Sequence, residues 1–268
     1  MVVPSLDDTC RDFLDKMTDM NMVVHICIGL EENFTMRKRT IQQFGDYMVV
    51  TVSASVLNDR EAFVKRLMDI VGGLIGCIMT VFIAVIIGPF IYIKSPGSIF
   101  FSQERVGRNG KTFRMYKFRS MYPDAESRKV ELAALNEVED GFMFKIENDP
   151  RIIGSEKGPG KGIGNFIRKT SLDEFPQFFN VLKGDMSLVG TRPPTLDEWK
   201  KYEPYHRGRM SVRPGITGMW QVNGRSDVMD FEKVVELDRR YISEWTVGLD
   251  IKIILKTIIM VIKGKGAK

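Results

Sequence analysis

An uncharged apolar segment of 24 residues limits what this chain can fold into more than any other feature. It runs from Ile70 to Ile93 and contains no Asp, Glu, Lys or Arg. At about 1.5 Å per residue, a straight helix of this length is roughly 36 Å long and can cross the apolar core of a bilayer. The segment starts too far from Met1 to be a secretory signal. We therefore expect a membrane-associated protein.

Two features argue against a simple membrane span. Gly88 and Pro89 lie inside the segment, and a proline removes a helical hydrogen bond and bends or breaks a helix. Both flanks are basic, with Lys65 and Arg66 before the segment and seven Lys/Arg between positions 94 and 119 after it. Because basic flanks favour the cytoplasmic side, we expect a re-entrant helix hairpin broken at Gly88-Pro89. A transmembrane helix with a proline kink is the alternative.

Composition and charge exclude several classes of protein. An apolar content of 44% excludes a disordered chain. Three cysteines without disulfide or metal spacing and only two histidines argue against a zinc site or a histidine-driven triad, and they fit a reducing compartment. Residues 62–121 hold nine Lys/Arg against two Asp/Glu. This local excess predicts a phosphate or an anionic surface as the partner. A nucleic-acid partner is not expected.

The pattern along the chain predicts an α+β fold in three parts. Residues 1–61 indicate a short, partial α/β piece, residues 62–98 form the membrane element, and residues 99–268 form a mostly helical domain. Within the first part we expect a helix near 6–20 and strands near 22–29 and 47–54.

The third part is expected to begin with a small β-hairpin over 99–121, because Asn109-Gly110 is a strong type I′ turn signal. Residues 245–268 have a wide apolar face and several lysines. This pattern suits either an amphipathic helix in the membrane interface or a core helix with a basic outer face. Further helices are expected at 123–138, 172–182 and 229–243.

Two adjacent carboxylates, Asp173 and Glu174, are the main candidates for chemistry. Ser171 and Glu174 have the S-x-x-E spacing of a capping box, which predicts a helix that begins at Ser171. A helix N-terminus is also an anion site, and carboxylates placed there, with Arg168 nearby, could serve phosphate chemistry through a metal ion. The alternative is that both carboxylates only cap the helix.

Other segments suggest phosphate binding. The run from Phe113 to Arg119 places Lys117 and Arg119 among aromatic side chains, which suits a diphosphate or a base. An electropositive strand resting on lipid headgroups explains it equally well. Rigid turns carry the arginines of Arg192-Pro193, Arg213-Pro214 and Asn223-Gly224-Arg225. These turns could equally be structural.

A series of ordered motifs extends from Lys65 to Lys268. The motifs are Lys65-Arg66 with Asp69, Ser95-Pro96-Gly97, Gln103 to Gly107, Tyr116 to Met121, Asp149-Pro150-Arg151, Thr170 to Gln177, Lys183 to Gly190, Arg192-Pro193 and Arg213 to Gly218. Together they resemble, in order, those of the bacterial sugar transferases, the monotopic phosphoglycosyl transferases. Residues 1–61 resemble the end of the extra nucleotide-fold-like domain of longer members, and whether the sequence is a piece of such a longer chain is left open.

The resemblance implies a fold, a reaction and a site. The fold is a membrane-associated catalytic domain with a re-entrant helix and interfacial amphipathic helices. The reaction transfers a sugar-1-phosphate from a UDP-sugar to polyprenyl (undecaprenyl) phosphate, releases UMP and passes through a covalent aspartyl phosphosugar. Asp173 would be the nucleophile and Glu174 the Mg²⁺ ligand. The site implied around them comprises Arg168 and Asp185, with Lys117, Arg119, Arg192, Pro193, Arg213 and Arg225 binding substrate.

The family also implies a place in the cell, namely the bacterial cytoplasmic membrane, with the active site facing the cytoplasm. The first membrane step of exopolysaccharide, capsule or O-antigen assembly is the expected role, with galactose or glucose as the sugar. A homo-oligomer is left open. Two other functions are alternatives: an inactive membrane-bound nucleotide-binding or regulatory module, and a diphosphate hydrolase that uses the same carboxylates and metal with water as acceptor.

Overall fold

The computed structural model describes residues 8–20, 22–26, 39–44, 47–52, 57, 59–132, 146, 148–224 and 230–263. Their elements form an α+β fold with more helix than strand, which confirms the predicted class. The helices are α1 Asp8–Asp19, α2 Asp59–Lys94, α3 Arg128–Glu131, α4 Ile163–Lys169, α5 Gln177–Lys183, α6 Leu196–Lys200, α7 Pro204–Arg207, α8 Met219–Val222, α9 Phe231–Ser243 and α10 Val247–Ile262. The strands are β1 Val24–Ile26, β2 Arg39–Phe44, β3 Tyr47–Val52, β4 Phe100–Val106, β5 Thr112–Phe118, β6 Ser187–Val189 and β7 Gly215–Thr217.

The N-terminal piece contains α1 and an antiparallel sheet in the order β1-β3-β2. This confirms the expected helix and the two expected strands. It adds β2, which lies between them in the sequence and at the edge of the sheet. Arg239 on α9 donates to the carboxylate of Asp19 at 3.1 Å and so joins this piece to the main domain.

Helix α2 contains the apolar segment and is continuous over 36 residues. At about 1.5 Å per residue it is roughly 54 Å long. The predicted break at Gly88-Pro89 was therefore wrong, because the helix continues through both residues. The neighbouring Ile87 and Ile91 are buried against the main domain, and this packing holds the last turns in place despite the lost proline hydrogen bond.

One face of α2 packs along the main domain from Lys65 to Ile91. Three glycines make this close approach possible, because a Cβ on Gly76 would lie 2.1 Å from the ring of Phe178, and Gly72 and Gly73 face Leu188 and Leu182 in the same way. The opposite face exposes large apolar side chains, among them Phe82, Val85, Ile86 and Phe90. By length and composition, α2 is the one helix in the described part of the chain that could cross a membrane.

Strands β4 and β5 form the predicted hairpin, with Val106 paired to Thr112. The connection is longer than the expected two-residue turn, because Gly107 donates to the carbonyl of Lys111 around a short 3-10 turn. Asn109 and Gly110 both have positive φ angles, 56° and 77°, as the turn signal required.

The helices of the main domain match the sequence unevenly. Helix α9 confirms the prediction at 229–243, whereas of the helix expected at 123–138 the described residues contain only α3; positions 133–138 lie outside them. Helix α10 buries Ile253 in the main core, and its C-terminal half exposes Leu255, Ile258 and Ile262. One face of α10 therefore lies in the core and one apolar face is uncovered, and the location of that face in the membrane interface stays a prediction.

Candidate active site

The turn that carries the two carboxylates differs from the predicted helix start. Ser171 has φ 56° and ψ 20°, and its side chain caps nothing, so the predicted capping box was wrong. Leu172–Glu174 form a 3-10 turn, and α5 begins only at Gln177. Pro176 directly precedes it, and because proline has no backbone N–H, it leaves no unpaired donor at the helix start. A left-handed conformation at a non-glycine residue such as Ser171 is held at a free-energy cost of about 1–3 kcal/mol and is common at functional sites.

Lys117 joins the two carboxylates. Its Nζ lies 3.4 Å from Oδ2 of Asp173 and 3.6 Å from Oε1 of Glu174. The three side chains are between 13% and 27% exposed, so the cluster is partly buried but open to a ligand. A cation between two adjacent carboxylates reduces their mutual repulsion, and the same cation can attract a phosphate group.

Asn180 on α5 fixes the strand that carries Lys117. Its fully buried side chain accepts a hydrogen bond from the N–H of Tyr116 at 3.1 Å and donates to the carbonyl of Arg114 at 2.7 Å. Sequence reasoning missed this residue. A signal existed, because Asn180 is a polar residue inside the otherwise apolar stretch Phe178 to Leu182 of an expected helix.

The carboxylate turn rests on the middle of α2. The hydroxyl of Thr80 donates to the carbonyl of Phe175, next to the dyad, at 3.0 Å. Phe175 and Leu172 pack with the apolar core that α2 shares with β5 and α4. Phe166 and Phe179, each more than half exposed, lie on the neighbouring helices α4 and α5. The candidate site is thus set among uncovered apolar surface.

The structure places Arg119, Arg168 and Asp185 around this turn with partners of their own. Buried Arg119 donates to the carbonyl of Ser95 just after α2, and burial lowers its pKa. Arg168 is exposed in the last turn of α4, where its charge acts on Asp149. Asp185 pairs with Lys183 at 3.1 Å.

Arg192 forms a two-pronged ion pair with Glu198, with distances of 3.1 and 3.2 Å. The carbonyl of Pro193 accepts a hydrogen bond from Arg105. The pKa of Arg105 is lowered to about 10, first by burial and then by the charge of Arg192.

Arg213 lies in a separate basic group with Arg66 and Arg108. Arg225 lies outside the described residues. Among the predicted site residues, the contacts therefore bring together Asp173, Glu174 and Lys117.

A magnesium ion fits this cluster. The described residues contain no group of three His, Cys, Asp or Glu side chains arranged to hold a metal ion. Mg²⁺ is nevertheless commonly bound through one or two carboxylates, with waters and substrate phosphates supplying the other ligands. Asp173 and Glu174 provide that number of carboxylates, so the donor set suits an ion shared with a bound diphosphate.

Comparison with known proteins places the chain in a family. The family model described as bacterial sugar transferase matches residues 60–264. Galactosyl transferase CpsE of Streptococcus agalactiae serotype III is 46% identical over 258 residues, which cover 96% of this chain and 55% of that protein. Undecaprenyl-phosphate galactose phosphotransferase of Salmonella typhimurium is 39% identical over 83% of this chain and 45% of its own length.

The exopolysaccharide production protein ExoY of Rhizobium meliloti is 32% identical, over 76% of this chain and 87% of its own length. The chain thus spans about half the length of the first two relatives and most of the length of the third. Since the family model also covers most of the sequence, this chain belongs to the bacterial sugar transferase family.

Proposed function

We propose that this chain transfers a sugar-1-phosphate from a UDP-sugar to polyprenyl (undecaprenyl) phosphate and releases UMP. One observation supports the proposal most strongly. Asp173 lies in a strained turn, next to Glu174 and Lys117, on the middle of an apolar helix. A carboxylate nucleophile, a cation for phosphate and a membrane-facing surface are the parts that such a transfer requires.

The proposed reaction has two displacements at phosphorus. A carboxylate oxygen of Asp173 attacks the phosphorus that bears the sugar, the bond to the UMP oxygen breaks, and UMP leaves. An oxygen of the lipid phosphate then attacks the same phosphorus, and the bond to Asp173 breaks. The product is a polyprenyl diphosphosugar, and the free carboxylate is restored.

Each residue of the cluster has a role in this scheme. An ionised Asp173 needs no general base, which agrees with a sequence that contains only two histidines. Lys117, within 3.6 Å of both carboxylates, attracts the diphosphate and offsets its charge as it approaches the nucleophile. Glu174, with Asp173, would hold Mg²⁺, which when bound neutralises phosphate charge and orients the diphosphate.

The surface around the cluster supports a lipid acceptor. The uncovered apolar faces of α2 and α10 suit burial in the bilayer, and the basic residues after α2 suit anionic headgroups on the cytoplasmic side. We therefore propose attachment to the bacterial cytoplasmic membrane with the site facing the cytoplasm. Galactose is the proposed sugar, because two relatives carry it in their names.

The test measures UMP release when the purified chain is incubated with undecaprenyl phosphate and each of a panel of UDP-sugars. We expect sustained UMP release that requires the lipid and is fastest with UDP-galactose, whereas without the lipid at most one UMP is released per protein molecule as the aspartyl intermediate forms. Asp173→Asn, an isosteric change, should abolish release while the thermal unfolding midpoint stays unchanged. Repeated turnover with UMP release in the absence of the lipid would indicate a hydrolase instead, and no release with any donor would indicate a regulatory module.

A further inference from the structure

A second basic site lies between the N-terminal piece and the main domain. It is a cleft of about 810 Å³, within the size range of small-ligand pockets. Its described lining residues include five Lys/Arg and no Asp or Glu. We call it the basic cleft, and the residues that matter for its chemistry are Arg66, Arg108, Arg213, Arg207 and Trp199.

The basic cleft is distant from the dyad. Arg66 lines the cleft, whereas Thr80 contacts the turn that carries Asp173, and both lie on α2. Fourteen residues of helix separate them, which corresponds to about 21 Å. A ligand in the cleft is therefore separate from the sugar phosphate at Asp173.

Three arginines from distant parts of the sequence meet in the cleft. Arg66 donates to the carbonyls of Val181 and Leu182 at the end of α5, both at 2.8 Å. Arg108 at the hairpin tip and Arg213 have no ion pair within 4 Å among the described residues. The pKa of Arg213 is lowered first by its burial and then by the charge of Arg66, with a smaller effect of Arg108.

Among the described residues, the nearby carboxylates compensate this charge only in part. Lys65 is already paired with Asp250 at 2.6 Å. Asp69 is buried behind the cleft, accepts hydrogen bonds from Ser187 and Leu188, and offsets the charge of Arg213 only in part. Like charges held together at a cavity wall are stabilised by an anion, and guanidinium groups match the geometry of phosphate.

The cleft also provides an aromatic wall. Trp199 lines it, and the guanidinium of Arg207 lies 5.3 Å from the centre of the Trp199 ring. We infer that the basic cleft binds a phosphate-bearing anion at a site separate from the catalytic dyad, through Arg108 and Arg213. The phosphate could belong to a soluble nucleotide or to the headgroup of an anionic lipid, and the test below separates the two.

The test counts binding sites on the full chain in a detergent with an uncharged headgroup. Inorganic pyrophosphate is titrated by calorimetry. We expect two sites per chain, one of which is weakened about tenfold in Arg108→Gln and lost in Arg108→Gln with Arg213→Gln. Arg240→Gln is the matched control, because Arg240 is exposed and pairs with Glu244 on the far side of α9. It should retain both sites.

Two further titrations identify the source of the phosphate. If ADP displaces pyrophosphate from the Arg108-dependent site and nanodiscs of phosphatidylglycerol do not, the ligand is a nucleotide. If only phosphatidylglycerol nanodiscs block the site, compared with phosphatidylcholine nanodiscs, the ligand is a lipid headgroup. A single pyrophosphate site, or two sites that Arg108→Gln leaves unchanged, would overturn the inference. Lys117→Gln should weaken only the pyrophosphate site at the dyad. The two sites are therefore distinguished by binding alone, and a failure of the proposed catalytic function would not change the result for the basic cleft.

Discussion

Asn180→Ala tests whether the buried amide holds Lys117 in position. The change removes the hydrogen bonds to the N–H of Tyr116 and the carbonyl of Arg114, leaves both backbone groups unpaired, and removes a longer bond of 3.4 Å to the carboxylate of Asp185. Each unpaired group costs about 1–3 kcal/mol when it is fully buried, and because these two groups are only partly buried the expected loss of stability is at most about 2–6 kcal/mol. For a chain of this size, that corresponds to a fall of roughly 5–20 °C in the unfolding midpoint.

The assay combines thermal unfolding in detergent with UMP release at a temperature at which the variant is folded. Because Tyr116 precedes Lys117, we expect the turnover rate to fall by about tenfold or more when the strand shifts. Thr257→Val is the control. It removes a hydrogen bond between the hydroxyls of Thr257 and Thr217, which lie 2.6 Å apart on elements that do not carry the dyad. If Asn180→Ala slows turnover no more than this control, or leaves the midpoint unchanged, the positioning role is wrong.

Three further predictions follow from the packing and the charges. Gly76→Ala should lower both stability and turnover, because its Cβ would force the ring of Phe178 beside the dyad to move; unchanged unfolding and turnover would contradict this packing. Single cysteines at Arg60 and Ser127, in a background without native cysteines, should both resist an impermeant thiol reagent in intact cells; labelling of either from outside would refute a cytoplasmic location for both flanks. Burial raises the pKa of Glu198, but nearby arginines outweigh it and the net shift is downward. Stability should therefore fall as the pH drops below about 4.5, and Glu198→Gln should flatten that fall in pH-dependent unfolding.

The sequence predicted most elements whose cause is local. The apolar run, the Asn109-Gly110 turn and the helix expected at 229–243 each depend on neighbouring residues, and each element is present. The helix break at Pro89 was predicted wrongly because tertiary packing decides it. Ile87 and Ile91 are buried against a domain that lies far along the chain, and no local pattern indicates this.

The residues of the candidate site could be selected from the sequence, but their geometry could not. Asp173, Glu174 and Lys117 were selected from their residue types and from the family resemblance, and their contacts confirm that they lie together. The capping box failed because Pro176 delays the helix to Gln177. The partner of Arg192, Glu198, and the meeting of Arg108 with Arg213 depend on contacts between distant elements, which a single sequence does not reveal.

The covalent step is the central claim, and trapping it is the most direct test. The purified chain is incubated with UDP-galactose and Mg²⁺ without lipid acceptor, quenched, digested and analysed by mass spectrometry. We expect one hexose phosphate on the peptide that contains Asp173, its loss on addition of undecaprenyl phosphate, and no adduct in Asp173→Asn. An adduct on another residue, or full turnover by Asp173→Asn, would contradict the proposed mechanism.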